Sequence, residues 1–207
     1  MYLDSIKEWD EHHCEKHVGN LVRNISALFL RNKIDSISYI DIGANVGKVY
    51  DLLSKKLNVM NVWMYEASPI LSEYIRIKYS SDPKVFFRNA AVCNRDEPVS
   101  FFEGSIDHQI QHSSQNLNLG LCKIDTQGGS CKVDAIKLSD IIRNTPTIRT
   151  DVNFIKIDTE TVDLEILQDL IDVIDFFTNK PVIEFEINYH SIITKDSAQS
   201  ILDKYTN

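Results

Sequence analysis

The sequence predicts an α/β fold, a mostly parallel sheet with helices on both faces. Three observations predict it. Apolar runs ("ISYIDIG", "NVWMYEA", "KVFFRNAAVC") alternate with stretches of helical period ("GKVYDLLSKKL", "SPILSEYIRIKYS"), the β-α-β-α-β rhythm of a parallel sheet. The first run ends in a glycine turn, Gly43-Ala44-Asn45-Val46-Gly47, directly before a helix. A chain of 207 residues, 43% hydrophobic and 25% charged, suits one soluble globular domain with a single core.

In chain order, residues 5–31 read as helical, within an N-terminal helical segment (residues 1–35) that precedes the main domain (residues 36–207). Ser5 and Glu8 form a capping-box pattern, and Ile6, Trp9, His13, Leu21, Ile25 and Leu28 recur at roughly helical spacing. A buried strand runs from Ile37 to Gly43. The next helix carries Val49, Leu52, Leu53 and Leu57 on one face. The second strand ends at Glu66. Ser68 then supplies an N-cap, with Pro69 at the first helical position. "KVFFRNAAVC" is a third strand. "PVSFFEG" alternates like a half-exposed strand, and residues 105–132 form a long polar loop or lid, rich in Gly, Ser, Asn and Gln. "KVDAIKLSDII" resumes as a strand and short helix; its strand and "PVSFFEG" pair as an added hairpin in one alternative. "VNFIKID" is a strong buried strand, followed by a helix ("VDLEILQDLIDVIDFF"), a strand ("KPVIEFEIN") and a last short helix ("KDSAQSILDKY").

Composition excludes several classes. The net charge of −8 opposes non-specific nucleic-acid binding, which depends on Lys and Arg neutralising phosphates. No apolar run approaches the roughly 18 residues of a membrane span. The N-terminus is too polar for a secretory signal. Cys14, Cys93, Cys122 and Cys131 have no CxxC or zinc spacing and read as reduced thiols, which points to the cytoplasm.

The glycine turn is the chemical signal. Glycine permits positive φ and close backbone approach, and such a site lies at the carboxyl ends of parallel strands. The turn here is GxNxG, not the dinucleotide GxGxxG, and Asp41 precedes its first glycine by two residues. A carboxylate at Asp41 suits a ligand with a cationic end. Glu66, followed by Ala67, ends the second strand 19 residues after Gly47, where an acid accepts hydrogen bonds from both hydroxyls of a ribose. Asn89 and Ala90 end the third strand, within reach of an adenine. The three strand ends together imply an adenosine with a positively charged amino-acid-like tail, and S-adenosylmethionine (SAM) fits.

"YIDIGANVGKV", "MYEASP", "NAAVCNRD" and "VNFIKIDTETVDLEIL" resemble the FkbM family of SAM-dependent methyltransferases. The resemblance implies the class I methyltransferase fold, which is Rossmann-like. It also implies methyl transfer, mostly to hydroxyl oxygens of sugars and small natural products. By position it places Asp41, Gly43, Ala44, Asn45 and Gly47 along the SAM tail. Glu66 and Ala67 fall at the ribose, Asn89 and Ala90 near the adenine, and Asp158 and Glu160 at the reacting end. Thr161 stands where the family has glycine and reads as a cap for the following helix. The end at Asn207 leaves little room for the last two strands of a class I sheet, so the sheet is abbreviated or the chain is excised from a longer protein.

Asp158 is the first choice for general base or acceptor-positioning residue, with Glu160 and Glu184 next. Glu184 and Glu186 alternate on one strand, so only one faces the site. A divalent metal is not expected; the alternative is an oxygen-rich Mg²⁺ or Mn²⁺ site from Asp158, Glu186, Asn188 and His190. His12, His13, Cys14 and His17 read as part of an ordinary amphipathic helix. In the lid, His108, His112, Ser113 and Ser114 are candidates to contact the hydroxyls of a glycan or small-molecule acceptor. Two rivals stay open. One is an inactive SAM-binding module. The other is a nicotinamide-dependent oxidoreductase, against which count the absence of GxGxxG and an expected absence of a Tyr-xxx-Lys pair, with Pro69 following Tyr65 and Pro83 following Tyr79.

Overall fold

A computed structural model describes residues 2–12, 15–102, 123–124, 131–159, 161–185 and 195–206. In chain order its elements are α1 (Tyr2–His12), α2 (Glu15–Arg31), β1 (Ser36–Ile42), α3 (Lys48–Leu53), β2 (Asn58–Glu66), α4 (Pro69–Lys78), β3 (Val85–Asn89), β4 (Ala91–Val92) and β5 (Val99–Phe102). They continue with β6 (Lys123–Ile124), β7 (Cys131–Val133), β8 (Ala135–Ile136), α5 (Leu138–Asn144), α6 (Pro146–Asp151), β9 (Phe154–Ile157), α7 (Asp163–Ile171), a 3-10 turn (Ile174–Phe176), β10 (Val182–Phe185) and α8 (Lys195–Thr206).

Five strands form one parallel sheet in the order β10-β9-β1-β2-β3. The chain builds outward from β1 to β3, then returns to the other side of β1. The strand order therefore reverses between β1 and β9. In such sheets the ligand crevice opens there, beyond the carboxyl ends of the strands. Both faces are covered. Tyr39 and Phe154 pack on one face with Val22, Ile25 and Phe29 of α2 and Val49 and Leu53 of α3. Ile40, Ile42, Ile155 and Ile157 pack on the other with Ile141 of α5 and Ile166, Leu167 and Leu170 of α7. Burial on both faces is why β1 and β9 read as near-continuous apolar runs.

Several local expectations change. α1 begins at Tyr2, so Ser5 lies inside the helix and is not its cap, and the single helix expected over residues 5–31 is described as α1 and α2. α3 ends at Leu53, although Leu57 still buries in the same core. The expected third strand divides. β3 stops at Asn89, and β4 turns away to pair with β8 in parallel. β5 pairs antiparallel with β6 and β7 in a three-stranded sheet, so the start of "KVDAIKL" does pair with "PVSFFEG", but β6 lies between them in the chain and the rest of "KVDAIKL" supplies β8. Ser68 caps α4 as expected: its Oγ accepts from the Leu71 N–H at 3.2 Å.

α1 is fastened to the domain by charge. Asp10 is buried, accepts a hydrogen bond from Tyr74 Oη at 2.9 Å, and pairs with Lys78 at 2.6 Å and Lys48 at 3.1 Å. Lys78 also reaches Asp51 at 2.7 Å and the Val46 carbonyl at 3.0 Å, so the network ends on the glycine turn. The Tyr-xxx-Lys spacing expected to be absent does occur, at Tyr74 and Lys78, but both side chains are bonded to Asp10. Burial pushes the Asp10 carboxyl up, but Lys78, Lys48 and Tyr74 outweigh it and hold it below the usual value.

Asp10→Ala leaves two ammonium groups without their carboxylate and is expected to cost about 2 kcal/mol at pH 7, discounted for the partial exposure of the lysines. Because the folded-state value is depressed, this contribution is present above the unfolded value of about 3.9 and lost as pH falls through the folded one. Urea unfolding should separate wild type and variant at pH 7, and the gap should shrink near pH 3.

Candidate functional site

The glycine turn closes on two neighbours. Gly43 has φ 74°, Asn45 53° and Gly47 75°, all left-handed. A Cβ on Gly43 would stand 1.8 Å from the Asp158 carbonyl oxygen, so only a bare backbone fits between the tips of β1 and β9. The Asp158 N–H donates to the Ile42 carbonyl at 3.1 Å across the same junction. A Cβ on Gly47 would meet the Tyr79 ring at 2.5 Å. Tyr79 donates its hydroxyl to the Gly47 carbonyl at 2.9 Å. Asn45 tolerates the left-handed region better than most side chains, which is why it serves between the glycines.

β2 anchors the turn from the other side. The Gly43 and Ala44 N–H groups both donate to the Tyr65 carbonyl, at 3.0 and 3.1 Å. Next, the Glu66 carboxylate accepts from the Asn45 N–H at 2.7 Å and the Ser68 N–H at 2.8 Å, one bond to each oxygen. Its main-chain carbonyl accepts from Asn89 Nδ2 at 2.8 Å and the Ala90 N–H at 3.1 Å. Asn89 also donates to the Ala67 carbonyl at 3.0 Å. Glu66 thus joins the glycine turn, the start of α4 and the end of β3. Burial pushes its carboxyl up to about 7, against the two N–H donors and Lys156. A carboxylate offers about four acceptor positions, so donors beyond these two can still be accepted.

Behind the turn lies a pair that the sequence reading missed. Asp41 and Lys156 are register partners across β1 and β9, and Lys156 is in turn the register partner of Glu184 on β10. Lys156 Nζ lies 3.1 Å from Asp41 Oδ1 and 3.3 Å from Asp158 Oδ2, and it donates to the Gly43 carbonyl at 3.0 Å. Burial opposes its charge, but Asp41 and Asp158 raise its pKa well above the ordinary value. Asp41 is fully buried, and the cation beside it is a lysine of the same chain. The signal was present: a lysine inside the apolar run "VNFIKID" needs a carboxylate if the strand is buried on both faces.

Asp158, at the tip of β9, is the accessible acid of the group, with its side chain 41% exposed. Thr161 does not cap α7. Val162 holds the N-cap position with no side-chain bond, and the Asp163 carboxylate accepts from the Thr159 N–H at 2.9 Å and Thr159 Oγ1 at 3.1 Å. Burial raises the Asp163 carboxyl, and these bonds partly offset it. Asn45 Oδ1 is buried and has no hydrogen-bond partner among the described residues. Glu160, Glu186, Asn188, His190, His108, His112, Ser113 and Ser114 lie outside the described residues, as do the side chains of His12, His13, Cys14 and His17. Among the described residues no group of three His, Cys, Asp or Glu side chains is placed to hold a metal ion, and no helix is long and apolar enough to cross a membrane.

A parallel sheet whose glycine turn opens at the switch point, with a buried acid at the tip of the second strand, defines a Rossmann-like nucleotide-binding fold. The chain matches the methyltransferase FkbM domain over residues 41–200, and it belongs to that family. Among solved structures it is similar to an FkbM methyltransferase from Methylobacillus flagellatus KT, with 19% identity and TM-score 0.48, covering 83% of this chain and 36% of that one. It is also similar to a precorrin-6y C5,15-methyltransferase from Geobacter metallireducens GS-15, with 14% identity and TM-score 0.41, covering 88% of this chain and 70% of that one. This chain therefore spans about a third of the length of the first protein. No curated protein matches it.

Gly43→Ala adds a methyl group where the Asp158 carbonyl already stands and forces alanine into positive φ. The variant is expected to lose roughly 3 kcal/mol or more of stability, measured by urea unfolding.

Proposed function

We propose that the chain binds SAM at the tips of β1, β2 and β3 and transfers its methyl group to a hydroxyl oxygen of a sugar, glycan or small natural product. The observation that carries the cofactor half is the convergence of three strand tips on Glu66, beside a buried acceptor at Asn45 Oδ1 that has no donor among the described residues. The residues fit the group. Glu66 accepts from the ribose hydroxyls, and Asn45 Oδ1 accepts from a donor of the amino-acid tail lying along the left-handed Gly43-to-Gly47 turn. Ala67 follows Glu66 at the ribose, and Asn89 and Ala90 border the adenine.

Bound SAM supplies a methyl group on a positive sulfonium, so the departing sulfide needs no proton. The chain's work is alignment and removal of one proton. Asp158 Oδ2 faces Lys156, and Oδ1 is the atom proposed to orient the acceptor hydroxyl and take its proton. Glu184 and Glu160 stand next in line. His108, His112, Ser113 and Ser114 are proposed to contact the acceptor's other hydroxyls. Hydroxyl acceptors are favoured by the resemblance to the FkbM family and by the polar character of residues 105–132. No divalent metal is required for this route.

Isothermal calorimetry should detect SAM binding and no binding of NAD; the reverse result would overturn the cofactor assignment. Because the Glu66 carboxylate is the better acceptor, SAM affinity is expected to rise about tenfold between pH 6 and pH 8, around the value near 7. An affinity that is flat over that range would contradict the ribose contact. With a labelled methyl group and panels of glycans and small alcohols, Asp158→Asn is expected to lower turnover about a hundredfold or more. Normal turnover in that variant would remove the assignment of Asp158.

A further inference from the structure

We infer that Lys156 is a positioning residue for the cofactor cradle: its buried ammonium ties the glycine turn to Asp158, and Asp41 holds that ammonium in place. The inference rests on the proposed SAM site and adds a residue to it.

Three features point this way. First, Lys156 sits between Ile155 and Ile157 in a strand buried on both faces, where an aliphatic side chain would satisfy packing alone. Second, two of its contacts lie at the ligand end of the sheet: the Gly43 carbonyl, at the first residue of the turn, and Asp158 Oδ2, just beyond the end of β9. Its ammonium donates a hydrogen bond to the Gly43 carbonyl and lies within ion-pair distance of Asp41 Oδ1 and Asp158 Oδ2. Third, the turn's other side is already fixed, because Gly43 and Ala44 donate to the Tyr65 carbonyl. Lys156 supplies the matching side-chain hold from β9, added to the backbone bond from the Asp158 N–H to the Ile42 carbonyl.

Charge gives the arrangement a direction. One ammonium lies close to Asp41 and Asp158, and Glu184 on β10 adds a third negative charge nearby. Asp41 is sealed from solvent, so the excess negative charge is presented at Asp158, the accessible partner. A cationic group of a ligand lying over the turn would meet that charge. Asp41, assigned to the ligand tail by sequence position, instead serves the tail through Lys156.

A simpler role is that Lys156 only neutralises Asp41. Lys156→Met alone would strand a buried carboxylate and confuse the two roles, so the informative comparison is Asp41→Asn against Asp41→Asn/Lys156→Met. In the double variant the fully buried Asp41 carboxylate and its counter-ion are removed together, which leaves only the partly exposed Asp158 and Glu184 without Lys156. Relative to Asp41→Asn, the double variant is expected to bind SAM about tenfold to a hundredfold more weakly, the scale of hydrogen bonds from a charged group, and to show a raised KM for SAM. Equal affinities in the two variants would overturn the inference. In the wild type, the Lys156 side-chain ¹⁵N resonance is expected to shift when SAM is added, and an unmoved resonance in a protein that binds SAM would overturn it without any mutation. Failure of the wild type to bind SAM would overturn both this inference and the proposed cofactor. Binding by the wild type with no contribution from Lys156 would overturn this inference alone.

Discussion

The contact on which the site depends is the approach of the β1 turn to the tip of β9. Gly43 has no side chain, and the Asp158 carbonyl occupies the space where one would be. Everything chemical in the site is placed by that closeness. It brings Asp158 beside the turn, lets Lys156 span from Asp41 to the Gly43 carbonyl, and leaves the turn's N–H groups to face β2 and Glu66. The two strands are hydrogen-bonded neighbours in the sheet, and glycine is what permits the turn to pass so close to the Asp158 carbonyl.

Electrostatics reinforces the geometry from both sides of the turn. On the β9 side a buried lysine is balanced by Asp41 and Asp158. On the α1 side, Asp10 gathers Lys48 and Lys78, and Lys78 in turn bonds the Val46 carbonyl within the turn. Pairs of this kind add little net stability over apolar packing, but removing one partner is costly, so they favour a single arrangement. The N-terminal helix is thereby connected to the same five-residue turn as the central strands.

Much of this was legible in the sequence because it depends on local pattern. The strands β1, β2 and β9 announce themselves as apolar runs, and Ser68-Pro69 announces the start of α4. The GxNxG turn and Glu66 could be placed because each follows a strand. What failed to show depends on partners far away in the chain. Lys156 looks like an interruption of a strand until Asp41, more than a hundred residues earlier, is set beside it. The division of "KVFFRNAAVC" at Ala90 follows from the pairing of β4 with β8, which hydrophobic alternation does not encode. Thr161 has the composition of a cap, yet Asp163 does the local bonding by reaching back four residues to Thr159, a choice set by burial. Tyr74 and Lys78 carry a catalytic spacing, and the fold commits both to Asp10.

The most direct measurement is a crystal structure of the chain with S-adenosylhomocysteine, the demethylated product, bound. The expected result places both ribose hydroxyls on the Glu66 carboxylate and the amino-acid tail along Gly43 to Gly47. A nucleoside bound elsewhere, or a ribose that does not touch Glu66, would contradict the assignment of the strand tips as the cofactor site.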